Sequence, residues 1–255
     1  MDKIERLETV YDYIAERKKV SIKELSSKFA VSEVTIRKDL QELETRGLII
    51  KSYGYARLKT SDLLLEPDYV DKVKSNADIK NMIAMKAADL IMDHDVIFLS
   101  TGSTINLLCG FIHKNKSLTV ITNDLKNAYI LALYPNIQLI LASGCCRAGT
   151  YSMIGASTYK FLSGFNVTKA FISCSAFSAK NGVFTTIPDS AVINRIMIQN
   201  AQKVYLVADS TKYNKYSMIQ IAPTTSIDYL ITDKYFPVED IGKFQSYETE
   251  VIISE

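Results

Sequence analysis

The chain has 255 residues, of which 47% are hydrophobic and 23% charged, and its formal net charge is +2. This composition is ordinary for a globular protein, and the length allows one small and one larger domain. The sequence contains no apolar run as long as a membrane span, and its charged N-terminus, MDKIERLETV, lacks the apolar core of a signal peptide. These features exclude membrane-spanning and secreted classes, so we expect a cytoplasmic protein without a membrane partner.

Three helices are predicted at the start of the chain. Apolar residues recur at helical spacing over residues 4–14 and indicate a first helix. Ser21 and Glu24 have the spacing of a capping box, which predicts that a second helix follows Ser21. After a tight turn, Ser32 can cap a third helix over residues 33–46, whose apolar side chains share one face.

The third helix carries polar side chains opposite its apolar face, and residues 48–59 then read as a basic hairpin around Gly54. Together these elements predict a winged helix-turn-helix. Exposed Thr, Arg, Lys and Gln side chains on a helix can read base edges or bind phosphates in a major groove, and Val34 can touch a thymine methyl group. The candidate DNA contacts are Ser32, Val34, Thr35, Arg37, Lys38, Gln41, Lys51, Tyr53, Arg57 and Lys59.

Two other interpretations of this region are a small solvated helical hairpin and a helix-turn-helix that docks on another protein. The local charge favours DNA, because residues 1–60 hold 13 Lys and Arg against 10 Asp and Glu. The remainder holds 17 of the 30 basic and 18 of the 28 acidic residues. So small a surplus predicts weak binding by one copy, and therefore a homodimer or homotetramer that engages paired half-sites on double-stranded DNA.

The segment SEVTIRKDLQELETRGLIIKSYGYA resembles the signature of DeoR-type bacterial transcriptional regulators. The matching features are a serine, then TIR-(R/K)-DL, then LE-x-x-G, then a wing with glycine and alanine. The family wing usually reads His-Gly-Gly-Ala, whereas this chain has Tyr53, Gly54, Tyr55 and Ala56. The resemblance implies an operator-binding regulator.

Residues 60–76 carry Pro67 and scattered charge, and we predict an interdomain linker there, between a DNA-binding domain (1–59) and an α/β effector domain (77–255). In the second domain, apolar segments of strand length alternate with helical segments. This alternation predicts a mainly parallel, Rossmann-like sheet with helices on both faces. The predicted strands are 96–100, 118–122, 137–143, 169–175, 203–209 and 229–233, with 250–254 as a late edge strand.

Polar residues follow several of these strands, and ligands of such sheets bind beyond the carboxyl ends of the strands. The Thr-Gly-Ser-Thr turn at residues 101–104 leads into a helix, so its N–H groups and hydroxyls can hold an anion, and Lys212 can offer an ammonium to a phosphate. The alternative is a set of purely structural turns. The candidate effector contacts are Gly102, Ser103, Thr104, Asn123, Gly144, Arg147, Asp209 and Lys212.

The order of I-F-L-x-x-G-S-T, L-T-V-x-T-N, G-x-x-R and D-x-x-K also resembles the effector domain of DeoR-type regulators. That domain is similar in fold to ribose-phosphate isomerases and glucosamine-phosphate deaminases, so the resemblance implies a phosphorylated sugar or related metabolite as effector. Three positions depart from the family pattern. They are Ser100, where an aspartate is common, Cys145, where a second glycine is usual, and Asn194, near the position of a lysine.

Catalysis, cofactors and metals are not predicted. Sugar-phosphate isomerisation needs a carboxylate base, and residues 173–179, where the family resemblance places it, contain no Asp or Glu. Asp189 is the nearest acidic candidate, but its place at the start of a helix suits a dipole role. We therefore predict a transcriptional regulator, by resemblance a repressor of carbohydrate-metabolism genes. A phosphosugar enzyme with an appended DNA module and a non-sensing architectural or activator protein remain as alternatives.

Four cysteines, Cys109, Cys145, Cys146 and Cys174, show no CxxC spacing, and two histidines are too few to suggest a zinc site. Reduced, buried thiols are the prediction, because burial is the commoner fate of free cysteine. An oxidant-sensing Cys145–Cys146 pair is the less favoured alternative.

Overall fold

The computed structural model describes residues 3–17, 19–46, 48–58, 69–112 and 117–255. The chain divides into two compact units, residues 1–62 and 63–255. The boundary lies within the segment predicted as a linker.

The first unit is a winged helix-turn-helix, as predicted. Ser21 Oγ accepts a hydrogen bond from the backbone N–H of Glu24 at 3.0 Å, and Ser32 Oγ accepts one from Thr35 at 3.1 Å, so both predicted N-caps form. A strand before the second helix joins the wing, which makes a three-stranded sheet of order β1-β3-β2 that the sequence pattern did not predict. The elements are α1 (Lys3–Arg17), β1 (Lys19–Ser21), α2 (Ile22–Phe29), α3 (Glu33–Thr45), β2 (Ile49–Ser52) and β3 (Tyr55–Leu58).

The core of the first unit lies between its three helices, and its apolar side chains are those of the predicted periodic positions. Val10, Ile14, Leu25, Ile36 and Leu40 are all fully buried. An ion pair also joins the first and third helices. Arg6 Nε and Asp39 Oδ2 are 2.6 Å apart, and the Asp39 side chain is 1% exposed.

The second unit is an α/β domain around a seven-stranded sheet of order β15-β14-β12-β9-β4-β5-β6, in which every neighbouring pair is parallel. The predicted strand at residues 250–254 forms the edge strand β15. The helices are α4 (Tyr69–Lys74), α5 (Ala77–Asp89), α6 (Ser103–Phe111), α7 (Leu125–Leu131), α8 (Ala156–Leu162), α9 (Pro188–Gln199) and α10 (Ile241–Gln245). The strands are β4 (Val96–Leu99), β5 (Leu118–Thr122), β6 (Ile137–Leu141), β7 (Cys145–Arg147), β8 (Ser152–Ile154), β9 (Val167–Ile172), β10 (Ala176–Ser178), β11 (Gly182–Thr185), β12 (Ala201–Val207), β13 (Ile219–Ala222), β14 (Tyr229–Asp233) and β15 (Glu250–Ser254).

Successive residues of each central strand point to opposite faces of the sheet, and a separate core covers each face. Phe98 and Ile172 pack with apolar side chains of α8, α9 and α10. Ile97 and Phe171 pack with those of α5, α6 and α7. This three-layer arrangement explains why the central strands read as continuous apolar runs.

The second unit also contains two small antiparallel sheets, separate from the parallel sheet, that were not predicted. One is the hairpin β7–β8, and the other is the sheet β10-β11-β13. The prediction of buried thiols is wrong for Cys145 and Cys146, which are exposed, whereas Cys109 and Cys174 are buried. The physical reason is that Cys145 and Cys146 lie on the two-stranded hairpin and not on a covered strand.

The segment predicted as a linker, residues 60–76, includes the short helix α4 of the second unit, while residues 60–68 lie outside the described ranges. Tyr69 of α4 donates a hydrogen bond from its hydroxyl to Asn106 Oδ1 at 2.5 Å. The Nζ of Lys126 lies 3.1 Å from the centroid of the Tyr69 ring, a cation–π contact. Helix α4 is therefore packed on the second unit by a specific aromatic anchor. None of the helices in the described ranges is long and apolar enough to cross a membrane.

Candidate functional site

The outward face of α3 is the candidate DNA-binding surface of the first unit. Val34 is 63% exposed, and Arg37, Lys38 and Gln41 are also exposed, while Thr35 is half-buried because it bonds to the cap residue Ser32. An exposed valine among polar residues has little structural role. The face therefore presents the mixture of cationic, amide and methyl groups that base edges and phosphates require.

Two cationic groups of this surface and the wing, those of Arg37 and Lys51, are paired with neighbouring side chains. Arg37 lies 3.6 Å from Glu33 one turn earlier. Lys51 of the wing donates to the amide oxygen of Gln41 and lies 3.4 Å from Glu44. The Lys51 contacts place the wing beside α3. Such exposed pairs contribute little to stability, so they can exchange for phosphate contacts at small cost.

The turn of the wing is fixed against the second helix. Gly54 has φ +84°, a conformation that glycine adopts without strain, and its carbonyl accepts a hydrogen bond from the N–H of Ile22 at 2.8 Å. Tyr53 beside it is 65% exposed, and Arg57 on β3 is half-buried. Lys59, the last candidate contact, lies outside the described residues.

The second unit contains a cavity of about 70 Å³ at the carboxyl ends of β4, β5 and β9, which is enough space for several water molecules. Its walls also include α4, the hairpin β7–β8 and the start of α9. Most of the lining residues have polar side chains. The lining residues are Tyr69, Lys72, Ser100, Thr101, Gly102, Asn123, Thr150, Ser152, Ile154, Ser173, Cys174, Ser175, Thr185, Ile187, Ser190, Ile193 and Asn194.

Hydroxyl groups connect the strand ends that form the base of the cavity. Ser173 Oγ donates to the carbonyl of Thr101 at 2.6 Å, and the N–H of Ser173 donates to Ser100 Oγ at 3.2 Å. Gly102 has φ +141°, and a Cβ atom there would lie 2.6 Å from Ser173 Oγ. Glycine is therefore required at this position by both its backbone conformation and the close approach of β9.

Two buried amides of the lining each have an oxygen atom without a hydrogen-bond partner among the described residues. They are Asn123 and Asn194, which are 1% and 2% exposed. The Asn123 Nδ2 atom donates to the carbonyl of Met153 at 3.1 Å, and Asn194 Nδ2 donates to the carbonyl of Ser190 at 2.9 Å. These bonds fix the orientation of both amide groups, and both oxygen atoms are buried.

Lys72 is the single cationic residue of the cavity lining within the described chain, and that lining includes no Asp, Glu or Arg. Asp124 follows the lining residue Asn123 directly in sequence but is not itself part of the lining. Its carboxylate caps α7 by accepting hydrogen bonds from the N–H groups of Lys126 and Asn127. Burial raises the pKa of Asp124. The arrangement can therefore hold a polar ligand, but it places no carboxylate base on the cavity wall.

The predicted effector contacts fall into two groups in the structure. Gly102 and Asn123 line the cavity, and Ser103 and Thr104 follow directly as the buried start of α6. Lys212 lies behind the lining, where its Nζ donates to the carbonyl of Cys174 at 3.0 Å. Asp209, Gly144 and Arg147 do not belong to the lining.

The positions of these last residues have local explanations. Burial by itself raises the pKa of Asp209, but Lys212 and a hydrogen bond from Thr211 outweigh it, and the pKa is lowered. Gly144 lies against Thr158 of α8. A Cβ atom at this position would be only 2.0 Å from Thr158 Oγ1, so a larger residue would clash. Arg147 ends β7 on the hairpin.

Several lining residues were missed by sequence reasoning. Tyr69 and Lys72 fall in the segment predicted as a linker, and Thr150 and Ser152 lie at an unpredicted hairpin. Nothing in their local pattern indicates a site. Asn194 carried a signal, because the resembled family has a lysine near this position.

A buried lysine lies next to this wall. Lys80 of α5 is 4% exposed, and its Nζ donates to the backbone carbonyls of Lys72 and Ser75 at the end of α4. The pKa of Lys80 is lowered to about 8, chiefly by burial and then by the nearby charge of Lys212, while Asp209 opposes the shift. Lys80 therefore joins α4 to the body of the second unit at an electrostatic cost.

Comparison with known proteins gives two family matches that together cover most of the chain. Residues 6–62 match the DeoR-like helix-turn-helix domain, and residues 75–234 match the DeoR C terminal sensor domain. The chain is 32% identical over 251 residues to the lactose phosphotransferase system repressor of Lactococcus lactis subsp. lactis, covering 98% of each protein. It is 28% identical to the HTH-type transcriptional repressor CsqR of Escherichia coli (strain K12), covering 95% of this chain and 92% of that protein.

Among solved structures, ribose 5-phosphate isomerase A from Methanocaldococcus jannaschii is similar with a TM-score of 0.40 and 20% identity, over 55% of each chain. This match spans only about half the length of the isomerase. The full-length relatives cited above are named as regulators and not as enzymes, in agreement with the predicted absence of catalysis. The chain belongs to the DeoR family of helix-turn-helix, DNA-binding transcriptional regulators.

Proposed function

We propose that this protein is a repressor whose affinity for its operator is controlled by a phosphorylated sugar, or a related metabolite, bound in the cavity of the second unit. The observation that carries the proposal is the cavity itself, which lies at the carboxyl ends of parallel strands and whose lining residues are mostly hydroxyl-bearing or amide residues. The relative from Lactococcus lactis, named as a phosphotransferase system repressor, supports a sugar-linked role.

The phosphate of such an effector has suitable donors in this lining. Gly102 precedes α6, and the first N–H groups of a helix point outwards and favour an anion. The ammonium of Lys72 adds a positive charge to the same cavity. Lys212 contributes from behind through its bond to the carbonyl of Cys174, by adding positive potential and fixing the backbone that follows β9.

On the DNA side, we propose that α3 enters the major groove and that the wing contacts the backbone or minor groove. Two or four copies bind successive half-sites, since one copy carries little positive surplus. The proposed contacts are Ser32, Val34, Thr35, Arg37, Lys38, Gln41, Lys51, Tyr53, Arg57 and Lys59.

Helix α4 supplies the route by which effector binding changes DNA affinity. Tyr69 and Lys72 line the cavity, and they belong to the first described element after the segment that joins the two units in sequence. A ligand that contacts this helix thereby acts on the connecting chain. Occupancy of the cavity lowers operator affinity, which is the direction expected of an inducer acting on a repressor.

The proposal is tested with the full-length protein in two steps. A thermal-shift screen against sugar phosphates should give at least one compound that raises the melting temperature in a concentration-dependent way, because it binds only the folded state. That compound should then weaken binding to a DNA duplex selected from random sequence by the ligand-free protein. A panel without stabilising compounds, or a stabilising compound that leaves DNA affinity unchanged, would contradict the proposal.

A further inference from the structure

We infer that the outer edge of β6, together with Tyr129 and Leu133 at the end of α7, is the surface through which a second copy of this chain binds. This inference deepens the proposed function, because it names the contact that pairs two DNA-binding units. It rests on the proposed use of paired half-sites for that consequence only, since the contact itself is measured without DNA or effector.

The segment that builds this end of the second unit is almost free of charge. Residues 127–159 include most of α7, all of β6, the hairpin β7–β8 and the start of α8. Arg147 is the only charged residue among these 33 residues, whereas the chain as a whole is 23% charged and 23% of 33 residues is about eight. Charged residues are depleted at the centres of protein interfaces. The composition of the segment is therefore that of an interface and not of a surface that meets only water.

Large apolar side chains are exposed on this segment. Tyr129 of α7 is 76% exposed, and Leu133, one turn later, is 71% exposed. Leu141 at the end of β6 is 37% exposed. Since α7 packs against α6 and β6, these side chains lie on the part of the helix that neither neighbour covers. Exposed apolar groups on consecutive elements mark a binding surface.

The main chain of β6 is open along one side. The strand pairs with β5, and none of the described strands pairs with its other side. The N–H of Ala142, directly after β6, donates to the carbonyl of Thr122 at 2.8 Å. Hydrogen-bonding residues alternate along a parallel strand, so the N–H and C=O groups of Leu139 and Leu141 point away from β5. An edge strand without charge or proline is ready to pair with another strand.

The opposite edge of the same sheet is protected. There β15 begins with the exposed Glu250, and the groove beside the strand is lined in part by Lys86, Asp89 and Glu255. Charged side chains beside an edge strand discourage pairing with another chain. The difference between the two edges indicates that β6, and not β15, is open to a partner.

A second copy of this chain fits the surface. In a contact between identical copies about a two-fold axis, one patch meets itself, so an uncharged patch brings no like charges together. Stable contacts use about 20–30 residues from each partner, and the uncharged segment is long enough to supply them. The small positive surplus of the first unit also favours DNA binding by more than one copy.

The positions of the free main-chain groups define how the two copies pair. Antiparallel β6 strands place Leu139 opposite Leu141 of the second copy, and the reverse, and each of these pairs exchanges two hydrogen bonds. The two Ile140 residues then face each other at the axis. The two seven-stranded sheets become one continuous sheet, flanked by the exposed side chains of both α7 helices.

The first test measures the mass of the full-length protein by analytical ultracentrifugation over a range of concentrations. We expect the wild type to be a dimer, or a tetramer built from such dimers. The double variant Tyr129→Lys and Leu133→Lys should have half that mass, because it places four like charges in the contact. The matched control is Tyr235→Lys and Val238→Lys, whose side chains are 65% and 72% exposed elsewhere on the second unit, and it should keep the wild-type mass.

The second test places a cysteine at the proposed axis. Cys145 and Cys146 are exposed, so both are first replaced with Ser. In this background Ile140→Cys should form a disulfide between copies on oxidation with diamide, since directly opposed residues of this kind have Cα atoms about 4.5 Å apart. The control is Ile252→Cys at the centre of β15, which is half-buried like Ile140 and should remain a monomer on a denaturing gel.

Two results of the first test would overturn the inference. One is a monomeric wild type, which would assign the surface to a partner other than a second copy. The other is an assembly that the changes at Tyr129 and Leu133 leave intact, or that the control variant dissociates equally. In the second test, the absence of the disulfide in Ile140→Cys, or its equal formation in Ile252→Cys, would overturn the pairing of β6.

DNA affinity distinguishes the inference from the proposed function. The Tyr129 and Leu133 double variant should bind the selected duplex about a hundredfold more weakly than the wild type, because it loses the avidity of two linked half-site contacts. A dissociated variant that binds DNA as tightly as the wild type would overturn the use of paired half-sites. The contact between copies would still be established by its mass and its disulfide.

Discussion

The two candidate sites of this protein differ in nearly every physical property. The outward face of α3 is exposed and charged, and Arg37 on this face forms a loose ion pair with Glu33 at 3.6 Å. The cavity of the second unit is buried and almost uncharged, and two of its amide oxygens have no partner in the described protein.

The difference reflects the ligands that each site is proposed to receive. A DNA backbone is a large polyanion, so its binding gains from mobile cations that can exchange one partner for another. A small polyol phosphate is recognised by position, so its site requires fixed acceptors and donors that water or ligand must satisfy. Variants that disturb one site should therefore leave the other intact.

The largest effect is expected from the ion pair that supports α3. Asp39→Ala removes the carboxylate that holds Arg6 at 2.6 Å in a buried position, which should destabilise the first unit by about 3 kcal/mol. Amide hydrogen exchange in α1 and α3 of the full-length protein should accelerate roughly a hundredfold. Exchange in the second unit should not change. Asp12→Ala, which removes an exposed acid from α1, is the control, and equal exchange in both variants would contradict the role of the pair.

The next effect concerns DNA affinity. Replacing Arg37 and Lys38 with Ala should weaken binding to the selected duplex by about a hundredfold, since two base or phosphate contacts are lost. Stability should change little, because both residues are exposed. The double variant Lys86→Ala and Lys180→Ala removes the same charge from exposed positions of the second unit and should retain affinity. If the α3 variant binds as tightly as that control, α3 is not the recognition helix.

A smaller effect is expected for stability against pH. The pKa of Lys80 is about 8 in the folded protein and 10.5 as the unperturbed value, so the unfolded chain binds more protons between these two values and stability rises with pH there. The difference between the two pKa values sets an upper bound of about 3 kcal/mol on this contribution, which is present in full only above the unperturbed pKa. Urea unfolding of wild type and Lys80→Met from pH 7 to 10.5 measures it. A stability difference between the two proteins that stays constant with pH would show that Lys80 is not perturbed.

The smallest effect is expected at Lys212. Lys212→Ala removes the donor to the carbonyl of Cys174, and we expect affinity for a stabilising sugar phosphate to fall about tenfold, with a matching loss of the effector response and no change in DNA affinity. Lys215→Ala, an exposed lysine nearby in sequence, should behave as the wild type. An unchanged response in Lys212→Ala would restrict Lys212 to a structural role.

Local patterns predicted the regular elements well. The caps at Ser21 and Ser32 form, and the core strands of the parallel sheet lie where apolar runs indicated them. These features depend on contacts between residues close in sequence, or on burial of a whole segment, and both leave a periodic signal. The antiparallel additions β7–β8 and β10-β11-β13 left no such signal, because short strands in loops pair through partners that their own pattern does not specify.

The candidate site shows the same division. Gly102 and Asn123 were predicted because they follow buried strands, and the strand ends of a parallel sheet meet at one edge. Tyr69, Thr150 and Ser190 were not, because they reach the cavity from a helix, a hairpin and another helix that are distant in sequence. The exposure of Cys145 and Cys146 was also missed, because it depends on the hairpin β7–β8, which the local sequence pattern did not indicate.

The sequence by itself therefore determined the family, the winged helix-turn-helix, the parallel α/β sheet and the outward face of α3. These follow from periodicity, capping and motif order, which are local properties of the chain. Only the tertiary structure decided which polar groups enclose the cavity, that α4 forms part of its wall and that two buried amide oxygens have no hydrogen-bond partner among the described residues. Satisfaction of a hydrogen bond depends on every element packed around the atom, and no single segment of the chain contains that information.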